Sequence, residues 1–390
     1  MTVPARMRAE ARPWGHTVPD SLTARRQIPT LDGLRAASII CVMVGHAASM
    51  GSPEARFERL GGFGVRVFFV ISGFLITTLL RREWERSGTL SLRTFYFRRT
   101  LRIFPPFYTF LLVAAVLFAL GVFPASGARW WPALTYLSNL WSVHAWELGH
   151  TWSLSIEEQF YLAWPLIFLR LGPARARRAA AIAVVTAPFI RVGARLLGHA
   201  TGVETFNQLS ATWTVDFLAV GCILALLPEV GRLHEFTRRA LASRTTFAAG
   251  ALIVLGQLAL PLSGRLWVGL DLAIAQSLLA VVLGLMLTWC VANAHSRVGR
   301  VLELAPVRAL GVASYSVYLW QQLFFRPTSQ WGVPLAVTGT LTAAALSYFV
   351  VEQPSLRLRG KLERRWAAGR ETAVPGGPGA PRSQPSEAPT

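Results

Sequence analysis

The chain has 390 residues, 53% of them hydrophobic and 15% charged, with a mean hydropathy of +0.41. That composition excludes a soluble globular domain and places the chain among polytopic membrane proteins. The formal charge of +19 is almost wholly arginine, Lys361 being the only lysine, and the arginines lie between apolar runs rather than along one stripe. This is the pattern of membrane loops beside lipid headgroups and argues against nucleic acid as a partner.

Residues 1–30 are polar, rich in Arg and Pro, hold no signal-peptide core and read as a cytoplasmic tail. Apolar runs of about 17–25 residues predict membrane helices near 32–50, 61–80, 101–121, 152–171, 179–198, 208–227, 245–262, 267–290, 309–325 and 332–351. Cations crowd the N-terminus and every second connection. Arg81, Arg82, Arg86, Arg93, Arg98 and Arg99 follow the second span, and Arg175, Arg177 and Arg178 follow the fourth. Arg232, Arg238, Arg239 and Arg244 follow the sixth, and Arg297, Arg300 and Arg308 the eighth. The intervening connections are poorer in them, which predicts ten spans with both termini in the cytoplasm. The expected fold is an all-α polytopic membrane protein, with its transmembrane domain over 31–352. The stretch 353–390 is basic first and then, beyond about residue 371, a disordered segment of Pro, Gly, Ser and Ala. The outer connection 122–151 carries Trp130, Trp131, Trp141 and Trp146 and is expected to lie partly along the membrane surface.

Inside these spans stand polar groups that a bilayer makes expensive, and such groups usually face a cavity or one another. Arg35 and His46, eleven residues apart at ~100° each, fall on one stripe of the first helix, separated by roughly 16 Å. Ser72-Gly73 forms a small surface within the second span, suited to close helix packing or to a ligand. Arg99 and Arg102 share a face at the mouth of the third span, where they either orient the helix or grip a phosphorylated cytosolic ligand. Ser153, Glu157 and Tyr161, spaced by four, share a face of the fourth span, and Glu157 could orient His46 or balance an arginine. Arg191 in the fifth span and Asp216 in the sixth should pair or line a wet cavity, as a structural tie or as a substrate contact. Ser314-Tyr315-Ser316-Val-Tyr318-Leu-Trp320-Gln321-Gln322 places hydroxyls and amides in the ninth span, and Glu352 ends the tenth beside a basic tail. Cys41, Cys222 and Cys290 lie in apolar runs and imply neither a disulfide framework nor a metal site. No nucleophile elbow and no phosphate-binding loop motif is present.

These segments together resemble the acyltransferase 3 family of integral membrane acyltransferases. The matching pieces, in family order over roughly residues 30–360, begin with Arg35 and His46 with ten residues between them, Ser72-Gly-Phe-Leu-Ile76 and Arg99-x-x-Arg102. Trp152-Ser-Leu-Ser-Ile-Glu157 through Phe160-Tyr161, Ser314-Tyr-Ser-Val-Tyr-Leu-Trp320 and Glu352-x-Pro354 complete the set. The resemblance implies a multi-pass protein of the inner or plasma membrane that moves an acyl group, usually acetyl, from cytosolic acyl-CoA to a hydroxyl of a sugar or envelope glycan. Some relatives acylate small molecules such as macrolides, and some carry an extracytoplasmic hydrolase-like domain for which this chain is too short. Carried over by position, His46 is the catalytic residue, with Arg35 its companion and Glu157 in support. Arg99 and Arg102, with Ser72, serve acyl-CoA binding, and Arg191, Asp216, Tyr161 and Tyr315 are candidates for substrate contact. No metal is implied.

The chain departs from the family pattern twice, at Gln321, where relatives often have His, and at Thr214, where they often have Arg. In the resulting mechanism the imidazole takes the proton of an acceptor hydroxyl, free or on a lipid-linked glycan, or carries the acyl group itself. A transporter or flippase lined by Arg35, His46, Glu157, Arg191 and Asp216 is the competing class, though no internal repeat supports it.

Overall fold

The computed structural model describes residues 28–50, 55–123, 127–227, 243–259, 265–327 and 331–372. The tail before residue 28, Arg232, Arg238 and Arg239 of the sixth connection, and the chain after residue 372 lie outside the described residues. The described chain is helical, with no strand among those residues. That is what lipid requires of a segment that must satisfy its own backbone polar groups.

Helix α1 (Pro29–Ser49) begins on a proline in its first turn, where the missing N–H has no helical partner to lose. α2 (Ala55–Ser87) and α3 (Leu92–Ala119) follow, and the Ser91 hydroxyl caps α3 by accepting from the Thr94 N–H at 3.4 Å. Both run well past the apolar windows 61–80 and 101–121, because an apolar window marks only the part of a helix in lipid. Arg81, Arg82 and Arg86 therefore stand on the end of α2, and Arg93, Arg98 and Arg99 on the start of α3, rather than in a loop.

Two short turns, α4 (Trp131–Leu134) and α5 (Trp146–Gly149), lead into α6 (Thr151–Thr201). Gly172 interrupts α6 with φ 70° and ψ 170°, directly before Pro173. Glycine meets no Cβ penalty in that region. Phe160 and Ala183 line one cavity of about 270 Å³. A straight helix would hold these two residues about 35 Å apart. The chain therefore folds back at Gly172, and the expected spans near 152–171 and 179–198 are its two arms.

α7 (Glu204–Thr212), α8 (Val215–Ala225), α9 (Arg244–Ala259) and α10 (Arg265–Leu270) come next, and α10 joins α11 (Gln276–Ala292) through a π turn at Asp271–Ala275. α12 (Arg297–Leu302), α13 (Ala305–Phe324) and α14 (Val333–Ser347) follow, and a second π turn, Tyr348–Glu352, leads into α15 (Gln353–Thr372). Among the described residues seven helices are long and apolar enough to cross a membrane, the folded-back α6 counting as one of them. α9 is a shorter apolar helix, and α13, with its hydroxyls and amides, is not among the seven. The chain is an all-α, multi-pass integral membrane protein.

α1 lies between α2 and α13, and α2 also packs along α8. Glycines set these spacings. A Cβ on Gly73 would run into the Leu218 carbonyl of α8, and one on Gly221 into the Val70 carbonyl of α2. Ser72-Gly73 is thus, at Gly73, a packing surface. Replacing Gly73 by Ala forces α2 and α8 apart and is expected to cost about 1–3 kcal/mol. A lowered thermal midpoint of the detergent-purified variant would register this, and an unchanged midpoint would contradict it.

Candidate active site

His46 sits in the last turn of α1, and its Nδ1 lies 2.5 Å from Oε1 of Gln321, a fully buried residue of α13. An amide oxygen can only accept, so Nδ1 carries the hydrogen and Nε2 keeps the free lone pair. Gly61 of α2 faces that nitrogen, a Cβ there standing 4.0 Å from Nε2. The Trp146 ring meets the imidazole edge-on at 5.5 Å, and its Nε1 donates to the Phe325 carbonyl at 2.9 Å. The Gln321 Nε2, on the same amide, is buried with no hydrogen-bond partner.

The adjoining amide of Gln322 holds the entry to α6. Its Oε1 accepts from the His150 N–H at 2.7 Å, while the His150 carbonyl accepts from Ser153 Oγ at 3.0 Å and Tyr318 Oη at 3.3 Å. Those bonds fix where the first arm of α6 starts, and so how deep Glu157 stands.

Glu157 Oε1 accepts from Ser72 Oγ at 2.5 Å, and Ser72 Oγ accepts in turn from Tyr161 Oη at 3.2 Å. Arg35 and Arg99 are the cations nearest the carboxylate, and the Arg99 guanidinium lies 4.7 Å over the Tyr161 ring. Glu157 does not make the hydrogen bond that orients His46; Gln321 does. At the end of the bundle where α1 begins, Arg102 lies near Arg35, Asp32 and Glu352, and Glu352 accepts from Ser316 Oγ at 3.0 Å. Tyr315 donates to the Ile103 carbonyl at 3.1 Å and ties α13 to α3. Arg35, His46, Arg99 and Glu157 all stand deep inside the bundle, yet each retains accessible surface. They are less enclosed than the packed core around them.

Arg191 and Asp216 form a separate cluster. Both are wholly buried, with Arg191 Nη1 2.8 Å from Asp216 Oδ2. The guanidinium also donates to the Leu272 carbonyl at 2.9 Å, the Trp213 carbonyl at 3.3 Å and Ser277 Oγ at 2.8 Å, and Ser277 donates to Asp216 Oδ2 at 2.7 Å. These bonds tie the second arm of α6 to α8 and α11. Of the residues around His46, the sequence reading singled out neither Trp146 nor Gln321 as a contact. The signal for Gln321 was its place as a departure from the family pattern; Trp146 looked like an interface residue.

A buried pair broken on one side leaves an uncompensated charge. Arg191→Met is therefore expected to cost about 3–5 kcal/mol of stability. Thermal unfolding with ligand titration of the surviving folded fraction separates a tie, which leaves ligand affinity alone, from a substrate contact.

A family model described as an acyltransferase domain matches residues 28–351. Peptidoglycan O-acetyltransferase OatA of Listeria monocytogenes is 27% identical over 362 residues, covering 85% of this chain and 56% of that protein. O-acetyltransferase OatA of Staphylococcus aureus is 28% identical over 321 residues, covering 77% and 51%. YrhL of Bacillus subtilis is 30% identical over 375 residues, covering 86% and 56%. The chain thus spans about half the length of these relatives. No solved structure matches it.

Proposed function

The chain belongs to this acyltransferase family, and from that premise we propose that it is a plasma-membrane O-acetyltransferase using cytosolic acetyl-CoA to acetylate a sugar hydroxyl of a cell-wall glycan. The acceptor class follows the relatives named for peptidoglycan O-acetylation. In this reading residues 31–352 form the transmembrane acyltransferase domain, with both termini in the cytoplasm.

Two polar clusters inside the bundle support the proposal: Arg99 and Arg35 around Glu157, Ser72 and Tyr161, with Arg102 beside Arg35, and His46 with Gln321 at the other end of α1. The guanidinium end takes the phosphates of the donor, because planar guanidinium groups bind phosphate bidentately. The thioester then points inward. Glu157 sits between Arg35 and Arg99 and keeps the middle of the path from being a run of like charges. At the far end His46 Nε2 takes the proton of the acceptor hydroxyl as its oxygen attacks the thioester carbon. The C–S bond breaks, and the thiolate leaves with the proton that the imidazole returns. The Gln321 carbonyl keeps Nδ1 protonated, so the basic lone pair is held on Nε2, on the side that faces Gly61. The unpaired Gln321 Nε2 supplies a donor for the oxygen that gains charge during the transfer.

His46→Ala should fold yet lose O-acetylation, a variant that kept full transfer being fatal to this mechanism. Gln321→Leu removes both the acceptor for Nδ1–H and the Nε2 donor, and is expected to lower kcat on the order of 10²-fold. Gln321→Glu keeps an acceptor oxygen and should retain more activity than the leucine variant. Equal rates for the two would deny the amide its orienting role. Mass spectrometry of wall glycans from cells with and without the gene tests the acceptor.

A further inference from the structure

The family match ends at residue 351, and α15 lies wholly beyond it. α15 does not stand apart. Glu363 takes a bidentate pair from Arg98 of α3, with Arg98 Nε 2.9 Å from Oε1 and Nη2 3.2 Å from Oε2. Trp366 packs on Phe97 at 4.5 Å between ring centroids, and the Arg93 guanidinium lies 5.1 Å over the same indole. The helix is docked along the start of α3, the element that carries Arg99 and Arg102.

This docking brings Arg359 to the mouth. Its Nε is 3.7 Å from Glu363 Oε1 and has no hydrogen-bond partner, and its charge is within reach of Arg98 and Arg102. Arg102 in turn lies near Arg35, and Arg35, Arg102 and Arg308 surround Asp32. Five guanidinium groups (Arg35, Arg98, Arg102, Arg308 and Arg359) thus meet four carboxylates (Asp32, Glu157, Glu352 and Glu363). The balance there is cationic, and a cleft of one sign draws the opposite charge.

We propose that α15 is part of the donor site and that Arg359 binds the 3′-phosphate at the adenosine end of coenzyme A. This rests on the acyl-CoA reading above. The placement follows from direction. The thioester points into the bundle, Arg99 and Arg102 stand at its last internal level, and Arg359 lies two helical turns beyond Glu352, about 10 Å further out. The phosphate it meets is the trailing one.

The test uses the full chain in nanodiscs of zwitterionic lipid, with acetyl-CoA and acetyl-dephospho-CoA, which lacks the 3′-phosphate, as alternative donors. Wild type should show the lower KM for acetyl-CoA. Arg359→Gln should raise that KM roughly ten-fold, leave kcat alone, and leave the KM for acetyl-dephospho-CoA unchanged; Arg359→Lys should recover part of the loss. Calorimetric titration with adenosine 3′,5′-bisphosphate reads the site without any transfer step and should be weakened in the same proportion. That binding supports the phosphate site even where transfer from acetyl-CoA fails, whereas a wild type that does not bind the bisphosphate overturns it. An Arg359→Gln variant with unchanged acetyl-CoA KM, or with both donors weakened equally, also overturns it. So does an effect of the substitution confined to nanodiscs containing anionic lipid, which would give the arginine to the bilayer.

Discussion

Hydrocarbon gives an ion no partner, so every charge within this bundle must face another charge or an internal wet space. Glu157 is where that constraint is met. Its oxygen accepts from Ser72, Tyr161 extends the chain of hydroxyls, and Arg35 and Arg99 supply opposite charge from two other helices. Four elements are tied by one carboxylate. Next to Ser72 on α2, the backbone contacts at Gly73 and Gly221 hold the same helix against α8. Packing by small residues and the placement of the polar groups are one arrangement.

The membrane-buried charges divide into two kinds. Arg191 and Asp216 are fully enclosed and bound by each other, by Ser277 and by backbone carbonyls, with Asp216 Oδ1 left without a hydrogen-bond partner. Arg35, Arg99, Glu157 and His46 are equally deep but keep accessible surface. The first kind closes the bundle, and the second is the kind that the proposed donor path uses. An arginine that fastens helices and one that meets a ligand are indistinguishable in sequence, since both are single polar residues in apolar runs.

Helix positions were legible because lipid imposes a long apolar window, and Arg35, His46, Glu157 and Asp216 were legible because such windows seldom hold a charge. Helix ends were not: α2 and α3 continue past their apolar windows into charged turns. The two arms of α6 were read as separate spans from their apolar runs, and the reversal at Gly172, directly before Pro173, lies between them. The partner of His46 could not be read from pairwise spacing, since Gln321 is some 275 positions away. Only the folding of α13 against α1 brings the two together. Likewise α15 read as a basic tail, because nothing in its composition announces that Glu363 and Trp366 dock on Arg98 and Phe97.

The central claim is that one internal path joins the guanidinium mouth to His46 at the opposite side of the bilayer. Proteoliposomes of defined orientation test it most directly, with radiolabelled acetyl-CoA supplied to one face and a glycan acceptor confined to the other. The account predicts labelled acceptor only when the donor meets the face carrying Arg99, Arg102 and Arg359 and the acceptor occupies the opposite compartment. Transfer that requires donor and acceptor on the same face would contradict it.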